Sequence, residues 1–137
     1  MTKEEKLSKL YKQAMQYNED LPAELMQKLS IYGQILEIIG GLHSESVSAW
    51  KLAESTRRET IANAMAYGAN TDKEPVGTSA KDREAVAEAI GAESRRKESE
   101  AEGEALRWKN AYNSTSEQIN MMKKRYDQLA NVAKGGV

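Results

Sequence analysis

No cysteine and no phenylalanine occur among these 137 residues, and proline appears only twice. The missing thiols exclude disulfides, thiolate metal sites and a cysteine nucleophile together, and they fit a reducing compartment. Aromatics make up only 6%, so the chain lacks the aromatic, β-branched bias of sheets, and Ala, Glu, Lys and Leu dominate instead, which favours helix. No apolar run approaches the roughly 18 residues of a membrane span. The opening Met1-Thr2-Lys3-Glu4-Glu5-Lys6 is charged where a leader would be apolar. A soluble, cytoplasmic chain is expected, in which Asn113-Ser114-Thr115 matches a glycosylation sequon by chance. With 30% charged residues, a mean hydropathy of -0.73 and a net charge of -1, there is too little apolar matter for a thick core, and no long-range field draws in nucleic acid or an anionic surface. One elongated, thin-cored domain over 1–137 follows.

Three helices account for what is present. Thr2 with Glu5 makes a capping box, and Leu7, Leu10, Tyr11, Ala14 and Tyr17 follow at helical spacing, which predicts a short helix over 3–18 that Asn18-Glu19-Asp20 ends. Pro22 suits the first position of a second helix, 22–67, because its missing N–H is not needed there. Its residues Leu25, Leu29, Tyr32, Leu36 and Ile39 alternate steps of four and three, a coiled-coil seam. Gly40-Gly41 then predicts a kink or a close crossing. Beyond it Ser46, Trp50, Ala53, Ala64 and Tyr67 keep approximate register with smaller side chains, and Gly68 is a good C-cap. Residues 69–78 gather turn formers around Pro75 and predict an apex loop, after which Ser79 with Asp82 restarts a helix over 80–133, followed by a frayed 134–137. In that third helix Ala101, Ala105, Trp108, Tyr112, Thr115 and Ile119 step by four and three, and Met122, Tyr126 and Leu129 continue the pattern.

Two long helices joined by a short loop bury their stripes only by returning alongside each other. The fold class is therefore all-α: a long antiparallel helical hairpin, coiled-coil-like, with the short N-terminal helix packing on its base. Leu36 and Ile39 should come level with Trp108 and Tyr112, and Leu25 and Leu29 with Ile119 and Met122. Such a hairpin has a packed base and a thin two-helix arm. The thin arm is the main reason to expect a homo-oligomer.

A search for chemistry finds little. A two- or three-helix rod supplies no water-excluding cleft, and no Walker loop, dinucleotide fingerprint, nucleophile elbow or zinc pattern occurs. No catalytic, cofactor-binding or metal residue is assigned, and no cofactor is expected. The single histidine, His43, lacks a carboxylate at di-iron spacing and reads as an ordinary surface or interface residue. Trp108 sits on the seam and reads as core, and Met26, Met121 and Met122 as packing of the base. Trp50, among small and polar neighbours, is a candidate partner or oligomer contact, as are Arg57, Arg58, Arg95 and Arg96. Nearby glutamates also make these arginines a mixed solvated face. Lys123, Lys124 and Arg125 have fewer acids around them and are the candidate nucleic-acid contacts, although a basic helix end also suits the macrodipole.

Three segments carry a resemblance. They are the Ala-rich stretch ending Arg57-Arg58-Glu59, the Gly77-Thr78 pair followed by Asp82-Arg83-Glu84-Ala85, and Trp108-Lys109-Asn110 with Ser114-Thr115, Glu117, Ile119-Asn120 and Met122-Lys123. Across about 30–130 the chain resembles small coiled-coil helical proteins from the early replication and recombination gene region of tailed phages of Gram-positive bacteria. The resemblance implies a place in the host cytoplasm near single-strand annealing proteins, single-stranded DNA-binding proteins and nucleases, without fixing a biochemical role. The expectation is a non-enzymatic oligomeric adaptor or modulator that contacts itself and a phage or host DNA-processing protein. Two alternatives stand beside it: direct, weak DNA binding through Lys123, Lys124 and Arg125, and inhibition of a host defence or nucleic-acid enzyme by the Glu-rich arm.

Overall fold

The computed structural model describes residues 1–67 and 80–135 and contains three helices: α1 (Lys3–Ala14), α2 (Pro22–Tyr67) and α3 (Ala80–Ala133). No strand occurs among the described residues. The fold is all-α, a helical hairpin of α2 and α3 on which the short α1 packs. The apex loop expected over 69–78, the Gly68 cap, the Ser79 restart, the Tyr67 side chain and the last two residues of the tail lie outside the described residues.

Thr2 starts α1 as an N-cap: its backbone is extended, and its hydroxyl accepts from the Glu5 N–H at 3.1 Å. The helix stops at Ala14, short of the position 18 that its apolar spacing implied. Gln16 and Tyr17 donate their N–H groups to carbonyls three residues back, at 3.2 and 3.3 Å, so the last turn tightens and leaves the α-helical path. Asn18 then makes the reversal. Its side-chain oxygen accepts from the Asp20 N–H at 2.9 Å and its carbonyl from the Leu21 N–H at 3.3 Å. Pro22 follows as the first residue of α2.

The chain divides into two compact units, one formed by Met1–Ser44 with Arg107–Val137 and the other by Glu45–Leu106. In the first unit all three helices contribute to a single core. Leu7 and Ala14 come from α1, Ile31, Ile35, Ile39 and Leu42 from α2, and Trp108 from α3. This segment of α2 is apolar along two stripes. Leu25, Leu29, Tyr32, Leu36 and Ile39 form the seam expected from the sequence, all buried or half-buried. A second stripe of Ile31, Ile35, Ile38 and Leu42, again in steps of four and three, packs in the cluster that holds Leu7 and Ala14. The rings of Tyr11 and Tyr32 meet edge to face, 6.2 Å between centroids. A Cβ on Gly40 would meet the Tyr112 ring at 3.4 Å, an ordinary contact with a side chain, and α2 stays helical through both glycines.

The second unit is built from two helical segments, 45–67 of α2 and 80–106 of α3. Among the described residues its buried apolar side chains are small: Ala64, Ala87 and Ala105. Gly91 is buried as well, and a Cβ built on it would come within 2.6 Å of Ile61 Cγ1. The Ile61 side chain thus occupies the space that the absent side chain leaves. One turn away on α2, Arg57 pairs with Glu98 of α3, each side chain about a quarter exposed or less. The antiparallel order shows in these two contacts, since the higher α2 number meets the lower α3 number.

Candidate interaction site

The residues singled out from the sequence fall in two places. Trp50 and Arg57 lie seven residues apart on the inward stripe of α2 in the two-helix unit, both half-buried. The Trp50 indole N–H is, among the described residues, the one buried side-chain polar atom without a hydrogen-bond partner. Lys51 stands over the same ring, its Nζ 5.0 Å from the centroid. A buried, unpaired N–H carries a cost of about 1–3 kcal/mol.

The arginines of this unit are largely engaged by the glutamates around them. Arg57 holds Glu98 across the two helices, Arg58 holds Glu54 at 2.7 Å one turn back, and Arg95 reaches along α3 to the carboxylate and the carbonyl of Glu88. Lys97 lies 3.6 Å from Glu93. Arg96 is exposed. Four cations of this unit, Arg57, Arg58, Arg95 and Lys97, are thus matched by a neighbouring carboxylate. Exposed pairs of this type contribute at most about 1 kcal/mol each.

Lys123, Lys124 and Arg125 are all exposed on α3 of the three-helix unit, but being consecutive they fan around the helix rather than form one patch. Arg125 is paired with Asp20 at 2.8 Å. Lys124 and Arg125, without Lys123, border a groove of 490 Å³ in the same unit. Its floor is apolar: Leu25 is fully buried, Met122 nearly so, and Tyr32 half-buried. Met121 stands on the lip, 69% exposed, and Glu19 and Asp20 lie on the rim with the two basic residues.

The packing expected for the methionines is corrected by this arrangement. Only Met122 enters the core, while Met121 and Met26 stay 69% and 51% exposed. Neighbours on a helix point about 100° apart, so when Met122 takes the inward position Met121 is turned away from it. Trp108 is in the core as its seam position implied, with the Arg107 guanidinium 4.5 Å above its ring. The acidic side of the groove, Glu19 and Asp20, had no functional signal in the sequence beyond marking a turn. Only the chain reversal brings that turn to Lys124 and Arg125.

Among the described residues no group of three or more His, Asp or Glu side chains is placed to hold a metal ion, and no helix is long and apolar enough to cross a membrane. Comparison with protein-family models, with curated proteins and with solved structures found no match to this chain.

Proposed function

We propose that this protein is a non-enzymatic helical adaptor that self-associates in the bacterial cytoplasm and acts through protein–protein contacts. From the resemblance to phage early-region proteins, its partner is a DNA-recombination or DNA-replication protein. The observation that carries the reading is the thin interior of the 45–106 unit, where among the described residues the buried apolar side chains are alanines and an Arg57–Glu98 pair joins the two helices. Leu52 and Leu106 meanwhile remain 69% and 48% exposed. Two helices with so little buried apolar surface gain stability by packing against further protein.

The test joins sedimentation equilibrium of the purified chain with affinity capture from phage-infected cells. Self-association together with recovery of a recombination or replication protein supports the proposal. A monomer at all concentrations, or recovery of capsid or tail components alone, overturns it. Anisotropy titration of single- and double-stranded DNA at two salt concentrations addresses the competing reading: tight, strongly salt-dependent binding that is lost with K123E/K124E would replace the adaptor by a direct DNA binder.

A further inference from the structure

We propose that Arg57 and Glu98 decide which helices join in the two-helix unit: they admit the pairing of α2 with α3 and exclude that of α2 with a second α2, or of α3 with a second α3. On α2 the inward stripe runs from Ser46 to Ala64 and on α3 from Ala87 to Ala105, each in alternating steps of four and three, and every member is buried or half-buried. Each stripe carries a single charged residue, Arg57 on one and Glu98 on the other. These two meet in an ion pair across the helices, with side chains 26% and 20% exposed. By contrast Arg58 with Glu54, Arg95 with Glu88 and Lys97 with Glu93 each join residues of one helix, and such pairs carry no information about the helix opposite.

Shape selects weakly in this seam. Its buried apolar side chains are alanines, which fit against any helix that also presents small residues. Charge selects strongly. A seam of two α2 stripes would hold two arginines and no carboxylate, and a seam of two α3 stripes two glutamates and no cation. Either leaves half-desolvated charge unpaired or beside its like, which is unfavourable, and α2 with α3 alone brings opposite charges together. A polar residue on an otherwise apolar stripe acts in this way in coiled coils, fixing the partner while adding little to stability. The selection matters for a protein present in many copies, because hairpins that open and pair like with like join into open-ended chains. Whole hairpins remain able to pack through their outer faces, so the inference does not depend on the self-association proposed above.

The experiment uses the full chain, whose lack of cysteine lets one introduced thiol report the pairing. Ala53→Cys places that thiol on the half-buried α2 stripe, where a disulfide joins two chains when α2 meets a second α2. In a glutathione redox buffer, with Arg57 and Glu98 in place, the disulfide-linked dimer should be scarce on a non-reducing gel. Adding R57L/E98L should raise its yield by about tenfold or more, while circular dichroism shows helicity and melting temperature kept or increased. A rise under those conditions cannot come from a hairpin that merely loosens. The exchange R57E/E98R restores opposite charges across the seam and should return the yield to that of Ala53→Cys alone. If the leucine pair leaves the yield unchanged, or the exchanged charges raise it as far as leucine does, Arg57 and Glu98 hold the two helices together without selecting them, and the inference is overturned.

Discussion

In the three-helix unit the inward stripe of α2 reads Leu25, Leu29, Tyr32, Leu36, Ile39. In the two-helix unit the same alternation of four and three runs on as Ser46, Trp50, Ala53, Arg57, Thr60, Ala64, and each of these residues is buried or half-buried. The facing stripe of α3 changes in the same way, from Trp108, Thr115, Ile119 and Met122 to Ala87, Gly91, Ser94, Glu98, Ala101 and Ala105. Geometry is thus retained while the chemistry changes. A fully buried Leu or Ile contributes about 1.5–3 kcal/mol and a methyl-sized alanine a fraction of that. Spacing alone therefore positions helices, but the side chains that fill it decide how strongly they hold.

The largest effect expected from this contrast is in the three-helix unit. Ile35 and Ile39 are essentially fully buried, so Ile35→Ala or Ile39→Ala should cost about 2–5 kcal/mol. Ala64→Gly in the other unit should cost only about 1 kcal/mol, mostly as helix propensity. Urea unfolding followed by circular dichroism measures both, and equal losses would erase the distinction.

Glycine substitutions sharpen the comparison. Gly91→Ala forces a Cβ to within 2.6 Å of Ile61, and the overpacking should cost about 1–3 kcal/mol, more than the roughly 1 kcal/mol gained in helix propensity. Gly103→Ala, with nothing within 4 Å of the added atom, should stabilise by about 1 kcal/mol. Adding Ile61→Ala to Gly91→Ala should bring a coupling energy that a double-mutant cycle reads directly. If Gly91→Ala stabilises as Gly103→Ala should, the close approach of Ile61 to Gly91 is refuted.

Polar filling of the seam should behave differently from apolar filling. Glu98→Ala leaves Arg57 partly buried and unpaired, at an expected cost of about 1–2 kcal/mol, reduced from the fully buried case because both side chains keep 20–26% exposure. Replacing both by leucine should be neutral or stabilising. Thermal melts of the single and double variants separate these outcomes. At the small end, Thr2→Ala removes the α1 cap and should cost about 0.5–1 kcal/mol. Its signature is faster amide exchange confined to the first turn of α1.

The groove was legible only in pieces. Met121 and the Lys124-Arg125 pair stand out in the sequence, yet nothing there joins them to Glu19 and Asp20, which are about a hundred residues away along the chain. The second stripe of α2 was hidden for another reason. When Ile31, Ile35, Ile38 and Leu42 run beside Leu25, Leu29, Tyr32, Leu36 and Ile39, the helix is apolar over about half of its circumference, and one clear seam conceals the other. Gly91, Ser94 and Glu98 were equally hard to read as interior positions, because a hydrophobic period is invisible where the residues that continue it are small or charged.

Composition and periodicity by themselves determined that the fold is all-α, that α2 and α3 return alongside each other, and that Trp108 and Met122 face inward. These are consequences of local propensity and a repeating apolar step, which depend on neighbours in sequence. Which face of α2 receives α1, that Ile61 sits over Gly91, that Arg57 finds Glu98, and that a turn and a helix end enclose one groove were decided by tertiary structure alone. Each joins residues remote in the chain, and only packing fixes which of several sterically similar partners meet.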